Sequence, residues 1–195
     1  CDDDDDNTGN GDESIELTET ITAQDDMLNT ALTVRYPAGW TAQARGGAIV
    51  LANDADVLNI VSASANDAST TDDSASITAG QVYIDFMMLP RELLESNMGL
   101  DPDATAADLL RLLFMQDGSN RTFSDIRVIS LDGRDAVAVT ATQDDTIQPG
   151  RIQFYVTTYD GGFVAISAFM AEGEESFDPI IRAIAEMVVA NFQTE

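Results

Sequence analysis

Residues 150–170, GRIQFYVTTYDGGFVAISAFM, decide the fold class. Apolar side chains alternate with period 2 on either side of Asp160-Gly161. Ile152, Phe154 and Val156 share one face of 150–159, and Phe163, Ala165 and Phe169 share one face of 162–170. An Asp-Gly pair tolerates the positive φ that a two-residue hairpin turn requires, so the runs read as antiparallel strands joined by a tight turn. The same pattern extends upstream. Strands are expected over 124–131 and 134–142, with Asp132-Gly133 as their turn. Parallel neighbours would need crossovers of a dozen residues, and these gaps are too short for one.

The helices lie outside this block. In SFDPIIRAIAEMVVANF (176–192), Phe177, Ile180, Ile181, Ile184, Met187, Val188 and Asn191 recur at helical spacing. This predicts one amphipathic helix with Asp178 as N-cap and Pro179 at its first position. Residues 105–116 predict another: Thr105 and Asp108 form an Asp version of the capping box, and Leu109, Leu112, Leu113 and Gln116 form a stripe. PRELLESN (90–97) predicts a short helix opening on Pro90. Upstream, strands are expected at 31–36, 46–53 and 77–89, the last with Val82, Ile84, Phe86 and Met88 inward. Residues 56–62 would continue or pair with 46–53. Polar 65–76 reads as a loop. Hairpins with helices near the middle and end indicate an α+β domain on one antiparallel sheet.

Composition excludes much chemistry. The 195 residues carry 35 acids against nine bases, a net charge of −26, with no His and one Cys; all nine bases are Arg. Without His or Lys there is no Ser-His-Asp or Cys-His machinery, no Ser-Lys dyad, no Schiff base and no His-ligated metal. Nucleic acid is not an expected partner, because affinity for phosphate backbones comes mainly from clustered cations. With no second Cys there is no internal disulfide. Eleven acids and no base fall in residues 1–26, which leaves 24 acids against nine bases in the remainder. The opening CDDDDDNTGNGD holds no apolar side chain besides Cys1. Such a segment cannot bury enough surface to offset its ordering entropy. Residues 1–27 are therefore expected to be a flexible acidic tether, and residues 28–195 a single domain.

Two resemblances sharpen these expectations. Cys1 followed by a polar run resembles the mature N-terminus of a bacterial lipoprotein, in which the signal peptide is removed before a Cys that then carries the lipid. The resemblance implies lipid attachment at Cys1 and an extracytoplasmic protein held to a bacterial membrane, with two or three acyl chains giving stable anchoring. The run Leu32-Thr33-Val34-Arg35-Tyr36-Pro37-Ala38-Gly39-Trp40 resembles the strand–Tyr-Pro-x-Gly-Trp opening of PsbP-like and Mog1-like domains. A middle insertion with a helix, a strand ending in Leu-Asp-Gly, three antiparallel strands and a final helix follow in that family's order. The resemblance implies an α/β/α sandwich, with a central antiparallel sheet and helices on both faces. It also implies a largely non-enzymatic binding or assembly role. Tyr36, Pro37 and Trp40 are read as a turn and its packing contact.

Carboxylates this abundant offer metal and acid–base readings. Asp4, Asp6, Thr8 and Gly9 fill the first positions of a calcium loop, but Ile15 stands where the bidentate Glu belongs. Asp101, Asp103 and Asp108 read as acids around a helix N-terminus. Asp72-Asp73 and Asp144-Asp145 would bind calcium only if the fold joined them. Asn120-Arg121-Thr122 matches a glycosylation sequon and is read as coincidence. Phe86-Met87-Met88-Leu89, Met98 and Met115 read as core, or as a partner patch should Met87 and Leu89 prove exposed. No catalytic residue, metal site or cofactor is expected. The leading expectation is a lipid-anchored cell-envelope accessory protein binding a partner protein or membrane complex. Two alternatives stand beside it: a carrier of a small apolar ligand between sheet and helix, and a carboxylate-based hydrolase.

Overall fold

The computed structural model describes residues 15–58, 77–116, 121–143 and 150–192. Its strands are β1 (Glu19–Asp25), β2 (Thr30–Tyr36), β3 (Thr41–Arg45), β4 (Ala48–Ala52), β5 (Val82–Pro90), β6 (Arg121–Phe123), β7 (Arg127–Leu131), β8 (Arg134–Gln143), β9 (Gly150–Tyr159), β10 (Gly162–Ala171) and β11 (Val189–Phe192). Helices α1 (Arg91–Met98) and α2 (Ala106–Phe114) follow β5. A 3-10 turn (Glu175–Phe177) and α3 (Asp178–Glu186) precede β11.

The strands form two sheets. The larger runs β3-β4-β5-β10-β9-β8-β6, with β7 also on β8; the smaller is β1-β2-β11. Every pairing is antiparallel. The expected hairpins are present: Tyr159 pairs with Gly162 and Leu131 with Arg134 across their Asp-Gly turns. Asp132 and Gly133 both take positive φ, 49° and 76°, which Asp and Gly accept and a β-branched residue would resist.

β9 and β10 are buried on both faces, so the large sheet is a middle layer. On one face Ile84, Phe86, Val164 and Ile166 share a core with Leu32 and Val34 of the small sheet and Ile181, Ile184 and Val188 at α3 and just beyond it. On the other, Val139, Phe154, Val156 and Phe163 meet Leu94 of α1 and Leu109 and Leu110 of α2. The fold is therefore α+β, with a large antiparallel sheet and helices on both of its faces.

Several expectations need correction. The boundary at residue 27/28 moves towards the N-terminus. Residues 19–25 form β1 against β2, with Ala23 and Leu17 buried. The acids around Ile21 and Ala23 masked a strand that turns one face to solvent and only Ala23 fully into the core. The helix expected over 176–192 ends at Glu186, and residues 189–192 pair with β2 instead. The open edge of β2 can take up this segment's backbone groups, and Val188-Val189 suits a strand better than a helix end. The N-cap is Phe177; Asp178 is the first helical residue, and its carboxylate takes a bidentate pair from Arg151, Nη2 to Oδ2 at 2.7 Å. One expected sheet is thus two. β3 is an additional edge strand, and residues 55–58 form a helical turn rather than a strand. The run expected at 124–131 divides into β6 and β7, which flank residues 124–126 along one edge of β8.

Candidate functional site

A surface depression lies where α1 gives way to α2. Gly99 ends α1 with φ 67°, a left-handed conformation suited to glycine, and Leu100 N–H donates to Leu94 C=O at 3.2 Å to close the cap. The loop then turns at Asp101, whose Oδ1 accepts from Asp103 N–H at 2.9 Å. α2 begins with the predicted capping box. Asp108 N–H donates to Thr105 Oγ1 at 3.3 Å, and Asp108 Oδ2 accepts from Thr105 N–H at 3.0 Å. The bonds from the Thr105 hydroxyl and amide, with Arg111 close by, hold the Asp108 carboxyl below its ordinary value.

Arg91 ties this loop to the sheet. Its Nη1 donates to Pro102 C=O at 2.7 Å, its Nη2 to Ala104 C=O at 3.3 Å, and its guanidinium lies 4.6 Å from the Phe163 ring centroid. The result is a fixed open cup of about 560 Å³, lined by Met98, Leu100, Ala104 and Leu112 and rimmed by Asp101, Asp103 and Asp108. The sequence places these three aspartates around a helix N-terminus, and the capping and turn bonds of Asp108 and Asp101 agree. Two contributions were missed: the apolar lining and the Arg91 clamp. An arginine directly after the Pro90 that precedes a helix was the available signal.

A second polar group lies on the α1–α2 side of the large sheet. On β5 the side chains of Tyr83, Asp85, Met87 and Leu89 point this way; Asp85 pairs in register with Val50 of β4 and Ser167 of β10. Burial pushes the Asp85 carboxyl above its ordinary value of 3.8, against the pull of Arg45 and a bond from Phe86 N–H. Burial, then the nearby Asp85 carboxylate, pushes Tyr83 up to about 12. Met87 is 43% exposed, whereas Leu89 is only half-buried, against the α1–α2 core. An aspartate inside the apolar run 82–90 was the sequence signal for this group.

The direction of the shift at Asp85 sets a pH dependence. A raised folded-state value means that the native protein holds this proton more tightly than the unfolded chain does. The resulting stability is fully present below about 3.8 and is lost as pH rises through the folded value. D85N, which carries no charge at any pH, is expected to melt higher than the parent at pH 7. The two melting temperatures should converge at pH 3.5, measured by circular dichroism. A constant gap would show that charge burial is not the cause.

The remaining candidates sort simply. Tyr36 and Trp40 pack on the first core, and Trp40 N–H reaches Pro37 C=O at 3.4 Å across a turn completed by Gly39 at φ 84°. Cys1, the calcium-like run 4–9, Asp72-Asp73, Asp144-Asp145 and Asn120 lie outside the described residues. Met115 packs half-buried on the α1–α2 core, while Met98 is 44% exposed at the cup. Among the described residues no three acid, Cys or His side chains gather to hold a metal. A smaller hollow of about 70 Å³ sits beside Arg151 and Phe169.

No protein-family model and no curated protein sequence matches the chain. Solved structures are similar at low identity. A protein of Bacteroides thetaiotaomicron VPI-5482 shares 10% identity over 92% of this chain, with TM-score 0.47, and this chain spans 51% of its length. PsbP (CyanoP) of Synechocystis sp. PCC 6803 shares 12% identity over 91% of this chain and 96% of its own, with TM-score 0.46. LpqN of Mycobacterium tuberculosis, described as involved in cell envelope biogenesis, shares 12% identity over 89% of this chain and 91% of its own, also with TM-score 0.46.

Proposed function

We propose that the protein is a lipid-anchored, extracytoplasmic accessory protein that binds a partner protein and catalyses no reaction of its own. The observation that carries this reading is the cup at the α1–α2 junction: open, rigidly backed and apolar within an acidic rim. A concave site that encloses a substrate buries most of its surface, whereas a shallow cup suits a convex protein surface. At the rim, Asp101 is engaged in a turn and Asp108 in a cap rather than paired as general acid and base. Asp85, the carboxylate raised by burial, lies across the sheet from Ser167 and Val50, with no second acid opposite it in register.

The anchor is the other half of the proposal. Cys1 is the chain's one thiol, set in an acidic run without other apolar side chains, and no described helix is long and apolar enough to cross a membrane. A lipidated Cys1 would supply the membrane attachment, and the acids behind it would hold the domain away from anionic headgroups. Mass spectrometry of protein extracted from its native membrane tests the anchor. The expected result is Cys1 carrying a diacylglycerol; an unmodified thiol overturns it. Cross-linking in the same membranes, followed by pull-down, should recover one protein in stoichiometric amount.

A further inference from the structure

We propose that the cup between α1 and α2 is the docking surface for a partner segment that presents an aliphatic side chain between cationic residues. This inference rests on the partner-binding reading above and names the surface and the chemistry that it recognises.

Met98, at the end of α1, is 44% exposed in the cup. Leu112 comes from the facing helix, and buried Leu100 and Ala104 form part of the wall. Apolar groups brought together in a concavity gain by covering one another's exposed area with a third apolar group. A methionine at such a place adapts its shape to what enters.

The rim selects the flanking charges. Among the described residues, Arg111 is paired with Asp108 at 3.3 Å, and Arg91 is committed to the loop carbonyls and Phe163. Asp101 and Asp103 are exposed at the mouth and take part in no ion pair among the described residues. A bare divalent cation is the poorer occupant, because one oxygen of Asp101 already accepts the Asp103 amide and no three-ligand group forms there. Lysine or arginine on either side of an inserted leucine satisfies both features at once. The ion pairs speed and orient the encounter, and the insertion supplies the affinity. The clamp by Arg91 and the capping box hold the cup ready in the unbound protein, which lowers the ordering cost of binding.

The test uses the full chain in solution and a fluorescein-labelled peptide of sequence Lys-Arg-Leu-Leu-Arg-Lys, followed by anisotropy in low and moderate salt. Three variants are compared after their melting curves have been matched to the parent. D101N/D103N removes two charges from the rim. D135N/D160N removes the same two charges from the depression around Arg134 and Tyr159. M98S keeps the charge and removes the exposed thioether.

At low salt the rim pair is expected to weaken binding about fivefold, M98S about fivefold and the distant pair less than about twofold, in line with local rather than net electrostatics. Equal weakening by both charge pairs would show that net charge alone draws the peptide, and would overturn the proposal. So would unchanged binding by M98S, or no binding by the parent. Because neither lipid nor membrane is present, an unlipidated Cys1 leaves this result untouched. A native partner cross-linked to another face would remove the cup and leave the partner-binding reading in place.

Discussion

Phe154→Ala is expected to lower the melting temperature more than any surface change in this protein, by roughly 8–16 °C, the equivalent of about 4 kcal/mol in a domain of this size. Phe154 is 1% exposed on the central strand β9. Its ring stacks on Phe114 of α2 at 4.4 Å between centroids, with Phe123 of β6 at 6.5 Å and the Arg121 guanidinium at 6.0 Å. Truncation removes one of the two fully buried phenylalanines from the core beneath α2 and strands two aromatic partners. The neighbours on β8 and β10 are held by ladder hydrogen bonds on both sides, so they cannot collapse to fill the space. The loss should therefore be the transfer term plus most of a cavity term. Hydrogen exchange should show the damage first in α2. A melting curve within 3 °C of the parent would mean that α2 follows the missing ring inward.

Gly162→Ala is expected to cost about 3 kcal/mol, or roughly 6–12 °C, by overpacking rather than by a void. Gly162 opens β10 after the Asp160-Gly161 turn. A Cβ built there would stand 2.6 Å from the backbone oxygen of Leu89 and 2.6 Å from Cε1 of Phe192. The first contact cannot yield without moving β5, which pairs with β10 at that point. The second could yield by displacing Phe192, but this ring packs 6.3 Å from Tyr159, whose hydroxyl donates to Val188 C=O at 2.8 Å. F192L in the G162A background should recover part of the loss and not all of it, because the carbonyl remains. In a double-mutant cycle the two changes should be non-additive by more than 0.5 kcal/mol, as for residues in contact. Additive effects would place the whole clash at Leu89.

What could be read in advance followed from whether a residue's own neighbours determine its conformation. The turns at Asp132-Gly133 and Asp160-Gly161, the α2 capping box and the inward set Val82, Ile84, Phe86 and Met88 are local, and all were legible. β11 was not. Met187, Val188 and Asn191 continue the helical spacing of α3, and only the waiting edge of β2, more than 150 residues upstream, turns the segment into a strand. β1 was hidden for a related reason: one face of an edge strand is polar, so counting acids placed it in the tail. β3, TAQAR, carries almost no apolar pattern and exists because β4 offers it a ladder. At the cup, the aspartates were visible and the pocket was not. The loop that walls the cup is tied down by Arg91 reaching across to Pro102 and Ala104, a contact that no periodicity announces.

The small sheet also bears on the order in which the molecule can assemble. β2 is held between β1, near the start of the folded part, and β11, near its end. β1 pairs with one edge of that strand locally, but the other edge is open until residues 189–192 arrive, and Phe192 is the ring that seals the Tyr159–Gly162 corner. Pairings of such long sequence separation bear a large loop-closure entropy before any contact rewards them. The native state is therefore reached late and cooperatively. A chain emerging from its N-terminal end can form its local hairpins early, but it completes the small sheet only when its last described strand is free to reach β2.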